Sequence, residues 1–156
     1  MRTALGSPVA LLAAALVGCA SPQPTVTQKL DDLDYHAESA TAAGLSDYAG
    51  GAHIAYFLVW AVERDLVAAD HPDDTVAGLI RDRNPGAFTS VLDWFDGVVS
   101  TDVLRDEGPA FAASCYEAYS GRYDAAFGGR AYHEPNWSDY ATAAGFLDAL
   151  RRSGCA

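Results

Sequence analysis

His53-Ile-Ala-Tyr-Phe-Leu-Val-Trp-Ala-Val62 (HIAYFLVWAV) is apolar on every side after its first residue, the pattern of a helix buried all round rather than one with a wet face. Glu63-Arg64-Asp65 close it, and it is too short to cross a bilayer, which takes about 20 apolar residues. Gly50-Gly51 ahead of it let the backbone be bent or closely approached there. The fold is therefore expected to be organised around one central helix.

Working outward, the recurring signals have helical period, and β-type alternation is weak. His71-Pro72-Asp73-Asp74 is a breaker, after which Thr75 to Asp82 predicts a short helix with Val76, Leu79 and Ile80 on one side. Asn84-Pro85 reads as a helix start, with Asn84 as N-cap and Pro85 at the first helical position. Phe88, Val91, Leu92 and Phe95 follow at i, i+3, i+4, i+7, and Asp96-Gly97 supplies the stop. Ser100-Thr101-Asp102 caps a further short turn. Gly108-Pro109 starts a long helix with Ala112, Tyr116, Tyr119 and Tyr123 on one face and Phe111, Cys115 and Ala118 beside it. Asn136 caps the last helix, whose stripe is Trp137, Tyr140, Ala141, Ala144, Leu147 and Leu150, with Arg151-Arg152 complementing its C-terminal dipole. These elements predict a mainly α, compact single domain of five or six helices over residues 31–156. One short strand near Tyr35 or Tyr132 is compatible with this pattern.

Before the domain the composition changes. Arg2 precedes the apolar run Pro8–Val17, which suits a signal peptide. The run ends in Leu16-Val17-Gly18-Cys19, which resembles the lipobox of bacterial lipoproteins. That resemblance implies cleavage before Cys19 and a covalent diacylglycerol on its thiol, giving a signal peptide of 1–18 and a lipidated, flexible tether of 19–30. Ala20 to Gln28 contains two prolines, no charge and almost no large apolar residue, so it cannot bury enough surface to fold. The expected location is outside the cytoplasm, anchored to the bacterial cell membrane or outer membrane.

The chain has 156 residues, 50% of them hydrophobic, and a net charge of −11 from 10 bases and 21 acids. Loss of 1–18 removes Arg2 and leaves nine bases against 21 acids, a charge of −12. A nucleic-acid partner is excluded, since phosphate neutralisation needs clustered Lys and Arg and this chain has a single lysine, Lys29. An acidic domain is not drawn to an anionic membrane, so the lipid does the anchoring. With Cys19 acylated, Cys115 and Cys155 remain as an even pair in a compartment that permits disulfides. They read either as a bridge or as one buried and one frayed thiol.

Three segments together resemble a family of uncharacterised bacterial proteins of unknown function. These are Asp31-Asp32-Leu33-Asp34-Tyr35-His36, then Gly51–Val67 (GAHIAYFLVWAVERDLV), and Asp106–Tyr119 (DEGPAFAASCYEAY) followed by Tyr132–Tyr140 (YHEPNWSDY). The resemblance spans nearly the whole domain in the same order and implies a fold but no activity or catalytic residue. Members of that family usually lack a lipobox and carry more acids after His36, so export is a departure from it.

His36, His53 and His133 lie in those three segments, near Asp34 and Glu38, Tyr56, and Glu134 respectively. A transition-metal site needs three or four such ligands to converge. None of the three falls in a spacing such as HExxH, so convergence must come from the fold, and the alternative is that each histidine pins a core or loop contact. Asp31, Asp32 and Asp34 lack the glycine and glutamate offsets of a calcium loop and read as a solvated acidic stretch. No GxSxG, SxxK, CxxC or P-loop is present. Trp94, off the Phe88–Phe95 stripe, is a candidate surface anchor for a partner. The reading these features favour is a non-enzymatic protein- or peptide-binding module, immunity-like in one form, whose acidity suits a basic effector or another envelope protein. The alternative is a metal-binding protein or metal-dependent hydrolase using His36, His53 and His133.

Overall fold

A computed structural model describes residues 27–68, 72–130 and 132–155. The expected signal peptide, Cys19, and the expected tether as far as residue 26 lie outside the described residues. The order is β1 (Lys29–Asp32), α1 (Leu33–Ala42), α2 (Asp47–Gly50), α3 (Ala52–Glu63), α4 (Asp74–Arg81), α5 (Ala87–Trp94), β2 (Val98–Ser100), α6 (Gly108–Phe127) and α7 (Trp137–Ser153), with single 3-10 turns before and after α6. The protein is mainly helical, with one small antiparallel sheet of β1 and β2. β1 begins at Lys29, so Lys29 and Leu30 belong to the folded domain rather than to a tether running through residue 30. No helix among the described residues is long and apolar enough to cross a membrane.

The central helix is α3. Ala52 through Ala61 are all buried, and α4, α5, α6 and α7 pack round it. It has no wet face because other helices cover each side. Aromatic rings fill the core: Tyr56 meets Phe88 at 5.3 Å between ring centres and Tyr140 at 6.0 Å. Phe57 meets Tyr116 at 5.1 Å. Pairs at these separations add to the area they bury. On the outer side, Asp148 of α7 accepts from the Trp60 indole N–H at 2.9 Å and from the Arg64 guanidinium at 2.7 and 2.9 Å, tying α7 to α3.

The helices and their exposed residues also differ from what the sequence predicts. A helix, α1, occupies 33–42, where the sequence predicts only a solvated acidic stretch at Asp31, Asp32 and Asp34 and allows a short strand near Tyr35; Asp32 caps it by accepting from the Tyr35 N–H at 2.8 Å. α5 starts at Ala87, because Asn84 Oδ1 accepts from the Gly86 N–H at 2.9 Å in a turn that precedes the helix. On α7 the buried stripe passes through Ala143, and Ala141 is exposed. Trp94 is half-buried and packs on the core, whereas among the described residues Tyr35 is the large apolar side chain left outside, 81% exposed.

The start of the domain is held by close backbone approach. The Leu33 N–H donates to the Gly97 carbonyl at 2.8 Å, and Gly97 has φ +68° with Leu33 Cβ only 2.7 Å from where a Cβ would stand. At Gly50 a Cβ would lie 2.8 Å from the backbone C and O of His36. Glycine there lets α1 seat directly on α2, which fixes where His36 projects. At the other end, Cys115 on α6 and Cys155 after α7 are joined as a disulfide, with Cα atoms 5.2 Å apart.

Candidate functional site

Asp31 on β1 is the centre of the site. Its Oδ1 accepts from His36 Nε2 at 2.9 Å and from the Asp32 backbone N–H at 2.8 Å. Its Oδ2 accepts from His53 Nε2 at 2.9 Å and from the Tyr116 hydroxyl at 3.0 Å. One carboxylate thus bridges two imidazoles whose ring centres are 4.8 Å apart and perpendicular. His36 comes from α1, His53 from the first turn of α3 and Tyr116 from α6, so four elements meet on one side chain. The Tyr119 hydroxyl donates to the His53 carbonyl at 2.9 Å, using α6 again to set the backbone that carries His53.

The electrostatics follow from this packing. Burial alone would raise the Asp31 carboxyl, but the hydrogen bonds and charges of His36 and His53 outweigh it and hold the group well below the usual carboxylate range. The hydrogen bond to Asp31 raises His36 above the ordinary imidazole value, against the opposing effect of its own burial. Burial, with Asp31 adding to it, pushes the Tyr116 phenol far up, so it stays a donor.

Asp31 and His36 keep 15% and 18% of their side-chain surface, against 8% for His53. That difference orients the site. Asp31 and His36 border a cleft of about 570 Å³ between β1 and one face of α6, and His53 supports them from beneath. Asp31, His36 and His53 each offer a ligand atom within 4.8 Å of the others. Two imidazoles and a carboxylate suit a divalent first-row ion such as zinc or iron. Ligand bonds near 2.1 Å would put the ligand atoms about 3.4 Å apart, so the widest separation of 4.8 Å would have to close by about 1.4 Å, and each Nε2 would have to give up its proton to ligate.

The structure brings His36 and His53 together but places His133 elsewhere, which corrects the three-histidine site. His133 Nδ1 donates to the Arg130 carbonyl at 2.7 Å, and its Nε2 lies 3.3 Å from the Tyr56 hydroxyl and 3.2 Å from Asp139. Tyr123 stacks on its ring at 6.1 Å and also contacts His53, at 5.5 Å. Both nitrogens of His133 are engaged in pinning the segment between α6 and α7. Its place is taken by Asp31, whose one sequence signal was its position five residues before His36. The helical stripe of α6 marks Tyr116 as a core residue, and the structure adds its hydroxyl to the site.

Fold and site together define a mainly α domain with a carboxylate clamped between two histidines at the mouth of a cleft. Residues 29–145 match the family described as Domain of unknown function (DUF7832), and the chain belongs to that family. No curated protein and no solved structure matches the chain.

Proposed function

We propose that the domain binds one divalent first-row transition-metal ion on Asp31, His36 and His53, and that it does so outside the cytoplasm, anchored to a membrane through lipidated Cys19. The observation that carries the metal reading is the convergence of the three side chains from β1, α1 and α3 within 4.8 Å. Three protein ligands would leave a zinc-type ion with an open position, and Asp31 and His36, the more exposed of the three, border the cleft from which a ligand would reach it. Tyr116 and Tyr119 supply the outer hydrogen bonds that hold such ligands in place. The ion would bind and polarise a ligand oxygen there; the chain's own part is to fix the two imidazoles and keep the carboxylate ionised. Anchoring rests on the lipobox and the uncharged tether.

Zinc titration of protein purified through chelator tests the metal reading. The expected result is one equivalent bound, lost in His36→Ala and His53→Ala and kept in His133→Gln. Equal zinc binding by His53→Ala and the parent would overturn it.

A further inference from the structure

The cleft has two unlike walls, and both suit an extended chain. One wall is β1 itself. Among the described residues β1 pairs with β2 alone, and Gln28 to Asp31 line the cleft. A strand with a neighbour on one side offers N–H and C=O groups along the other, a template for a further strand; on β1 the Asp32 N–H is already taken by Asp31 Oδ1 and a bulge falls between Lys29 and Asp31, so the template is the Lys29–Leu30 stretch. The facing wall is the stripe of α6 carrying Ala113, Glu117, Gly121 and Asp124. Ala113 is small, and a Cβ on Gly121 would meet nothing within 4 Å, so a backbone has room between the two acids. Glu117 and Asp124 are exposed and two helical turns apart, about 10.5 Å, within reach of side chains two to four residues apart on an extended chain.

Charge selects the occupant. Glu117 and Asp124 present carboxylates to this space, while Lys29 is paired with Asp32 and the charge of Asp31 is taken up by His36 and His53. An acidic chain or a nucleic acid would be repelled by a protein of net charge −11. Tyr35, 81% exposed beside His36, offers a ring for an apolar or cationic side chain to cover.

We infer that the cleft binds an extended basic peptide segment as a third strand beside β1, its cationic side chains on Glu117 and Asp124 and its backbone crossing Asp31 and His36. This deepens the metal reading and rests on it for one point: a peptide carbonyl passing there would meet the ion's open position.

The test is fluorescence anisotropy on the purified full-length protein with labelled eight-residue peptides alternating Lys and Thr, Glu and Thr, and Lys and Thr with alternate backbone nitrogens methylated. Saturable binding of the Lys peptide is expected, with none of the Glu peptide. Methylation removes the donors a new strand would use, and it should weaken binding at least tenfold, as should the surface reversals Glu117→Lys and Asp124→Lys combined. Methylated peptide binding as tightly as unmethylated, or the reversed variant binding as the parent does, would overturn the inference. Zinc titration of the same samples separates the two readings. Protein that takes zinc but no peptide ends the peptide inference alone, and protein that takes peptide but no zinc ends the metal reading alone.

Discussion

Replacing Tyr116 by phenylalanine removes one oxygen from the junction of α6 with the Asp31 cluster and keeps the ring. Its contacts with Phe57 at 5.1 Å and Tyr119 at 5.8 Å are preserved, so little cavity is created. The lost bond runs to a charged acceptor, a class worth about 1.5–3 kcal/mol. Asp31 Oδ2 still accepts from His53, so the carboxylate is not orphaned and the lower end applies, about 1.5–2 kcal/mol. For a domain of this size that is a fall in Tm of roughly 6–8 °C. The deficit should depend on pH in one direction. Asp31 has a depressed folded value, so the stability it contributes is present above its unfolded value near 3.9 and is lost as pH falls through the folded one. Metal-free Tyr116→Phe should therefore lag the parent equally from pH 7 to about 4 and approach it only below that range. Urea unfolding followed by tryptophan fluorescence in chelator measures this. The same phenol orients a candidate ligand, so zinc affinity should fall at least tenfold. A variant as stable as the parent at pH 7, with undiminished zinc affinity, would refute the placement of Tyr116 as the donor that holds Asp31.

Gly50→Ala brings a methyl within 2.8 Å of the His36 backbone, so α1 must shift; the expected cost is about 1–3 kcal/mol with weakened zinc binding. Gly51→Ala meets the flexible end of Leu33 at 2.7 Å instead and should leave zinc affinity within a factor of about two; equal zinc affinities for both variants would contradict the role given to Gly50. Asp148, which burial would raise, is held below the ordinary carboxylate value by Trp60 and Arg64, so Asp148→Ala should lose about 1 kcal/mol at pH 7, fading only below pH about 4; a deficit unchanged at pH 3 would argue against it. Cys115→Ser with Cys155→Ser should destabilise the oxidised protein by about 2–4 kcal/mol, and two free thiols in non-reducing mass spectrometry of exported protein would remove that bridge. Cys19→Ala should move the protein from the membrane fraction to the soluble fraction, and retention in the membrane would end the lipid-anchor reading.

The legible parts of the fold were those with strong local signals. α3 announces itself because no side of it tolerates water, and α6 and α7 carry Gly108-Pro109 and Asn136 at their starts. α1 was hidden because Leu33–Ala42 buries a single alanine, Ala40; its helix depends on the Asp32 cap and on a seat made by Gly50, neither of which shows as periodicity. The site divides similarly. His36 and His53 stood out by residue type, but Asp31 looked like its neighbours Asp32 and Asp34. What distinguishes it is pairing across β1–β2 and a hydroxyl 85 positions away in sequence, and nothing local encodes that. His133 was misplaced for the converse reason, since a conspicuous residue type can be consumed by loop contacts.

The tyrosine-filled core has an optical consequence in alkali. Burial raises Tyr56, Tyr116, Tyr119, Tyr123 and Tyr140 far above the ordinary phenol value, five of the eight tyrosines in the chain. The stability linked to these protons is intact below the unfolded value near 10 and declines as pH climbs toward the folded values. Their ionisation is therefore tied to opening of the core rather than to pH alone. Tyrosinate absorbance from these five rings should rise in a single cooperative step at the alkaline unfolding transition, so the fold carries an unlabelled reporter of its own integrity.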